Sequence, residues 1–328
     1  MALDTLIIAG LAGELDRRLA GARVDKVTMP RRDRIVLQLR AAEGNVRLLL
    51  CAGNAARVHL TQEKFDNPET PPMLCMLLRK QMAGGRILSV TQPEHERLLE
   101  LRFTALDELG VAAEKRLICE MMGRMTNLIL VGPEDIIIAC THAASYETSE
   151  RAVQPGLRYR LPLRQDKPSL WSLSAGQLTE LCRTCQGDPM ALCDRIAGLS
   201  PRIAREMVFR GGSPEGTAAE LLALQTAEPE PWLLEKSDGS RELAALEIRQ
   251  DPNTKCIKCD SFSEMLDDFY REQTKKEDLR ALNGSIVKTM TTRRNRLQRK
   301  LAGQKQELLQ AEEREALKRT ADLITANL

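Results

Sequence analysis

From Arg34 to Cys140 the apolar side chains come in short runs, each ended by Gly, Pro, Asn or a charge cluster, and that rhythm restricts the fold most. Arg34–Leu39, Val46–Cys51, Arg57–Leu60, Ile87–Thr91, Leu98–Phe103, Arg116–Glu120, Asn127–Val131 and Ile136–Cys140 are too short for helices and rich in Val, Ile and Leu, so they read as strands. One apolar stretch among them, Met73–Met82, follows the turn-rich Asn67-Pro-Glu-Thr-Pro-Pro and carries Arg79 and Lys80 at its end, which suits a helix. A doubly wound sheet needs a helix between almost every pair of strands. Here strand mostly follows strand, so a meandering or sandwiched sheet is expected. Aromatics make up only 3% of the chain, so the core must be built from Leu, Ile, Val, Met and Ala. The same scarcity disfavours a ring platform of the kind that stacks single-stranded bases.

Helical periodicity flanks this body. Leu3, Leu6, Ile7, Leu11, Leu15 and Leu19 share one face of a helix over residues 3–20, with Asp4 placed to cap it or to sit in its first turn. The irregular Gln154-Pro-Gly-Leu-Arg-Tyr-Arg-Leu-Pro ends the strand-rich part, and Ser174–Leu222 turns helical. Within it, Leu192–Ala197, Gly198-Leu-Ser-Pro and Arg202–Arg210 spell helix, tight turn, helix, with Gly198 as the turn, Ser200 as N-cap and Pro201 at the first helical position. Residues 229–250 suit a hairpin turning at Ser237-Asp-Gly-Ser. From Ser263 the chain is helical almost to its end, interrupted at Asn283-Gly-Ser. Leu297, Leu301, Leu308 and Ala311 give only a thin apolar stripe, enough for one partner helix. The expected class is α+β, divided into 1–170, 171–226, 227–262 and 263–328.

Charge distribution says more than the net value of +2. Arg17–Arg34 is locally basic but interspersed with Asp16, Asp25 and Asp33; Arg280–Lys305 holds eight Lys or Arg and no acid. Leu6–Leu19 is too short and too interrupted to act as an export signal or membrane span. The nine cysteines, an odd number sitting mostly in apolar runs, read as free thiols of a cytoplasmic protein. Cys182-x-x-Cys185 and Cys256-x-x-Cys259 lie too far apart for a zinc ribbon, so no metal or other cofactor is expected. His59, His95 and His142 have no nucleophile motif beside them and no phosphate-binding glycine loop exists, so the chain is not expected to be an enzyme.

Several stretches together resemble the RqcH/NEMF/FbpA (NFACT) family: Asp4 in the first helix, Arg57-Val-His-Leu-Thr, Asn67-Pro-Glu-Thr-Pro-Pro-Met-Leu-Cys-Met-Leu-Leu-Arg-Lys, Glu96-Arg97, Glu120-Met-Met-Gly-Arg-Met-Thr-Asn and Gly198-Leu-Ser-Pro. The resemblance covers essentially the whole chain. It implies an N-terminal domain folded like that of formamidopyrimidine-type DNA glycosylases, a helix-hairpin-helix domain, a coiled-coil arm and a further RNA-binding domain. Ala321–Leu328 is similar to the segment where that arm has finished, so the last domain is expected to be missing. The glycosylase chemistry is not implied, because those enzymes begin with proline and glutamate where this chain begins Met1-Ala2. The implied activity is ribosome-associated quality control: binding the stalled large (50S) ribosomal subunit with its peptidyl-tRNA, and recruiting tRNA, in bacteria tRNA-Ala, for alanine tailing without mRNA. The implied tRNA-handling positions are Asp4, Glu96 and Arg97. The family's usual pair at the last two is Asp-Arg. Glu96 sets its carboxylate one methylene further out, so the role survives with a shifted backbone or tailing is weakened.

The residues themselves add to this. Arg97 precedes Leu99, Leu101 and Phe103 in alternation, which places it on the buried face near its rim, where Asp4 could orient it toward RNA; the alternative is a structural ion pair. Gly123-Arg124 between two strands lets a phosphate approach closely, with Arg124 as its contact, or is a surface turn. Arg202 and Arg205 follow a helix-hairpin-helix-like turn whose backbone N–H groups suit phosphate. On the basic helix, Lys288, Arg293, Arg294, Arg296, Arg299 and Lys300 suit RNA phosphates rather than a merely solvated face, since no acid lies between them. The competing functions are a fibronectin-binding surface adhesin, the older label of relatives, and a duplex-DNA binder.

Overall fold

The computed structural model describes residues 3–53, 55–106, 110–123, 126–146, 150–162 and 166–326. They fall into two units, Met1–Phe269 and Tyr270–Leu328. The first opens with α1 (Thr5–Leu19), which buries Leu6, Ile7, Ile8, Leu11, Leu15 and Leu19, the stripe its periodicity predicts. Nine strands follow in one sheet: β1 (Arg23–Arg31), β2 (Arg34–Ala41), β3 (Gly44–Cys51), β4 (Arg57–Leu60), β5 (Arg86–Thr91), β6 (Leu98–Leu106), β7 (Ala112–Glu120), β8 (Asn127–Val131) and β9 (Ile137–Cys140), with α2 (Met73–Met82) between β4 and β5. The order is β4-β3-β2-β1-β5-β6-β7-β8-β9.

Every pairing is antiparallel, as a meander requires. The two halves join through a single ladder pair, Arg23 with Arg86, whereas β6 and β7 pair along their whole length. The sheet is thus two meanders meeting at a short seam, continued by backbone hydrogen bonds of Gly21, Ala22 and Val24 with Gly84, Gly85 and Ile87, and α1 packs on β5 beside it. One strand escapes the sequence pattern. β1 is bulged between Val24 and Lys26 and again between Thr28 and Arg31, so its buried Val24, Val27 and Met29 fall out of alternation. The basic charges around it are largely paired: Arg40 with Asp25 (3.0 Å), Arg31 with Asp33 (3.5 Å) and Arg18 with Glu43 (3.4 Å).

Four short helices come next: α3 (Ala175–Thr184), α4 (Pro189–Arg195), α5 (Pro201–Gly211) and α6 (Pro214–Leu224). Each begins on a hydroxyl or carboxylate cap, Ser174, Asp188, Ser200 and Ser213 in turn, and the last three carry Pro in the first turn. Gly198 at φ +84° makes the α4–α5 turn as the sequence requires, and Ser200 accepts from the Ile203 N–H (3.4 Å). The 229–250 hairpin is present as β10 (Trp232–Glu235) and β11 (Arg241–Ala244), and β12 (Lys255–Lys258) adds a third strand on the other side of β10.

The helix α7 (Phe262–Ala326) starts inside the first unit. Glu14 of α1, itself buried, accepts from the Phe262 N–H (2.6 Å) and the Ser263 N–H (3.2 Å), so one helix's side chain caps another's N-terminus. Gly10 is what lets Phe262 lie there, because a Cβ would stand 2.2 Å from its ring. Asp267 accepts from Thr61 Oγ1 (2.6 Å) and from the Gln62 N–H (3.2 Å). The second unit is the remainder of α7, a single helix with Leu297, Leu301 and Leu308 exposed along it. No helix among the described residues is long and apolar enough to cross a membrane.

Candidate nucleic-acid interface

The first turn of α1 is the centre of the site. Asp4 caps it, accepting from the Ile7 N–H at 2.9 Å through one carboxylate oxygen, while the other lies 3.4 Å from Ser200 Oγ, the cap of α5. Two helix starts, one from each end of the first unit's sequence, therefore share one aspartate. Burial raises the Asp4 carboxyl above the ordinary aspartate value, opposed by the Ile7 N–H, the nearby Arg202 charge and the Ser200 hydroxyl.

Beside it runs the β5–β6 connection. Gln92 Nε2 donates to the Thr5 carbonyl (3.1 Å) and to the Glu96 carbonyl (2.9 Å), stitching this loop to α1. The Arg97 carbonyl accepts from the Met121 N–H at 2.8 Å, which fixes the other end of the loop to the tip of β7. The shared Gln92 amide thus draws the backbone at Glu96 to that of Thr5, the residue after Asp4. The structure places Arg97 differently from the alternation: β6 begins at Leu98, and Arg97 stands outside the strand, exposed. Asp4 does not orient it. Among the described residues no hydrogen bond or ion pair engages the Arg97 guanidinium, so a fixed backbone presents an unneutralised cation. Glu96 is half-buried.

Between Gln92 and Arg97 the chain makes a tight turn, Pro93-Glu94-His95, with Glu94 at φ 53° and His95 at φ 55°. His95 stacks on Trp171, ring centroids 3.9 Å apart and planes within 5°. Partial burial lowers the imidazole pKa below its ordinary value, although His95 remains exposed. Trp171 sits in a short turn held on both sides, by the Leu170 N–H on the Ala197 carbonyl (3.0 Å) and by Gln225 Nε2 on the Leu170 and Leu173 carbonyls (2.8 Å each). Gly198 adjoins the ring so closely that a Cβ would be 2.5 Å from it.

Other expected contacts fare unequally. Arg202 donates to Glu242 and to the Leu243 carbonyl (3.2 Å), tying α5 to the small sheet, so its charge already has a carboxylate partner within the fold. The charge that marked it as a binder is spent on a carboxylate that approaches from β11. Arg205, one turn on, is exposed and has no ion pair among the described residues. Arg124 lies outside the described residues. At the end of β7, buried Glu120 takes a bidentate pair from Arg151 (2.6 and 3.1 Å) and the Tyr159 hydroxyl (2.9 Å), a structural network. Lys288, Arg293, Arg294, Arg296, Arg299 and Lys300 are all exposed on α7, where no carboxylate pairs with them among the described residues. Cys182 is buried in α3 with its thiol pushed up to about 11, and no group of three or more metal-ligating side chains exists among the described residues.

The chain as a whole matches a known family. Residues 4–328 match the model described as NFACT N-terminal and middle domains, and the chain belongs to that family. It is 29% identical to the protein named Rqc2 homolog RqcH of Bacillus subtilis (strain 168), over 100% of this chain and 59% of that one. It is 28% identical to the protein of the same name from Streptococcus suis (strain 05ZYH33), over 100% and 58%. The chain therefore spans under two thirds of the length of these relatives. Among solved structures, the N-terminal part of the fibronectin/fibrinogen-binding protein of Streptococcus suis superposes with a TM-score of 0.73 at 28% identity, covering 83% of this chain and 100% of that one.

Proposed function

We propose that this chain is the tRNA- and rRNA-gripping part of a cytoplasmic ribosome-associated quality control factor. It binds the stalled 50S subunit with its peptidyl-tRNA and recruits tRNA, tRNA-Ala in the bacterial case, so that the ribosome itself extends the nascent chain with alanine. On this reading the protein is not an enzyme. The first unit supplies a glycosylase-like domain and a helix-hairpin-helix module around α4 and α5, and α7 is one strand of a coiled-coil arm.

The observation that carries it is Arg97: exposed, unpaired among the described residues, and mounted on a backbone held by Gln92 and Met121. A guanidinium with no internal partner and little freedom of mounting is preorganised for a phosphate oxygen pair, and little ordering entropy remains to oppose binding. The name of one curated relative, the ribosome quality control complex subunit NEMF of Homo sapiens, supports the ribosomal setting, and the exposed, acid-free run on α7 supports nucleic acid as the ligand. A fibronectin-binding reading has the name of the solved neighbour in its favour.

Competition between tRNA, duplex DNA and fibronectin at fixed, near-physiological salt separates the readings. The expected result is preference for tRNA and co-sedimentation with large subunits. Preference for duplex DNA or for fibronectin would replace this function with the corresponding alternative.

A further inference from the structure

Two turns in the sheet have the same backbone. Pro93-Glu94-His95 joins β5 to β6, and Pro133-Glu134-Asp135 joins β8 to β9; in each, the two residues after proline lie in the left-handed region, at φ 53° and 55° in the first and 58° and 64° in the second. Two successive non-glycine residues in that region are unfavourable, and such a turn persists only where its surroundings over-determine it. The last residue of each turn shows what does so. Asp135 is held by Arg116 of β7 at 2.5 Å, with Arg158 from beyond β9 at 3.8 Å. His95 is clamped from outside the sheet, by Trp171, whose own place is set by the segment leading into α3 and by Gly198 of the α4–α5 turn.

The difference has a direct consequence for the residues that follow. After Asp135 come exposed Ile136 and then β9, whose Ile137 and Ala139 are buried; immediately after His95 come Glu96 and Arg97, the latter exposed and without an ion pair among the described residues. We propose that His95 is a positioning residue, whose stack on Trp171 sets the turn from which Glu96 and Arg97 are presented to tRNA. This rests on the tRNA-binding reading of Arg97.

The test is a double-mutant cycle on tRNA binding by the full chain. His95→Asn keeps a side chain that tolerates the left-handed region but removes the ring; Trp171→Leu removes the partner ring; Trp171→Phe keeps a stacking surface. His95→Asn and Trp171→Leu are expected to weaken tRNA binding by about threefold to tenfold, the range an aromatic pair's contribution allows, with Trp171→Phe near wild type. In an Arg97→Ala background the same substitutions should have no further effect, because they act through Arg97. Additive losses in that background, or full binding by His95→Asn, would overturn the positioning role while leaving the tRNA reading intact. If Arg97→Ala itself binds tRNA as well as wild type, the underlying reading fails and this inference with it. Circular dichroism melts of each variant identify unfolding, and the Trp171→Phe rescue stands even where Trp171→Leu does not fold.

Discussion

The 92–97 loop and the basic run of α7 carry positive charge in opposite ways. In the loop one arginine stands free on a backbone locked by Gln92, Met121 and the His95–Trp171 stack. Along α7 six or more cations sit exposed on long, rotatable stems with no acid near them in sequence. On the proposed tRNA-binding reading, the first arrangement sets where a phosphate lies, and the second raises affinity for any polyanion and depends on ionic strength. A protein that must hold a tRNA in one pose needs both, and the contrast predicts that they fail differently.

The largest effect should come from the helix. Replacing Arg293, Arg294, Arg296, Arg299 and Lys300 with Gln is expected to lower tRNA affinity on the order of a thousandfold at low salt and to flatten the slope of log K against log salt by about four. Titrations at several salt concentrations read both, and an unchanged slope would break the assignment of these residues to phosphates.

Next in size is the root of that helix. Glu14→Ala leaves the buried Phe262 and Ser263 N–H groups without their acceptor and should cost about 3–4 kcal/mol of stability, seen in a denaturant melt of the whole chain with an unaltered salt slope for tRNA. A third test concerns His59, which lies nearby in β4, 1% exposed, 3.9 Å from Asp267, with its pKa lowered to about 4, chiefly by burial. A histidine whose folded pKa lies below its unfolded value binds its proton more readily when unfolded. Stability is therefore complete above about pH 6.5 and is lost as pH falls toward 4, by roughly 3 kcal/mol at about 1.4 kcal/mol per pH unit. His59→Gln should remove that acid sensitivity; a variant melting with the wild-type pH profile would assign it to other groups.

Much of the frame was legible. Eight of the nine strands in the large sheet, the first helix and the Gly198–Ser200–Pro201 turn follow from periodicity and capping chemistry alone. β1 did not, because two bulges shift Val24, Val27 and Met29 out of step and its charges suggest a surface. Nor did the fate of two arginines. Alternation carried one residue too far put Arg97 inside, where the strand had in fact not yet begun; and nothing local reveals that Glu242 will reach Arg202 from a hairpin formed later in the chain. His95 and Trp171 lie in separate parts of the sequence, each a lone aromatic in polar surroundings, and only the folded chain makes them a pair.

The most direct test is the smallest change. Full-length protein carrying Arg97→Ala should keep its melting temperature and still co-sediment with large ribosomal subunits through its basic helix, yet retain about a tenth or less of the tRNA and lose C-terminal tailing. Tailing and bound tRNA at wild-type levels in that variant would contradict the claim that a single free guanidinium on a fixed loop holds the tRNA.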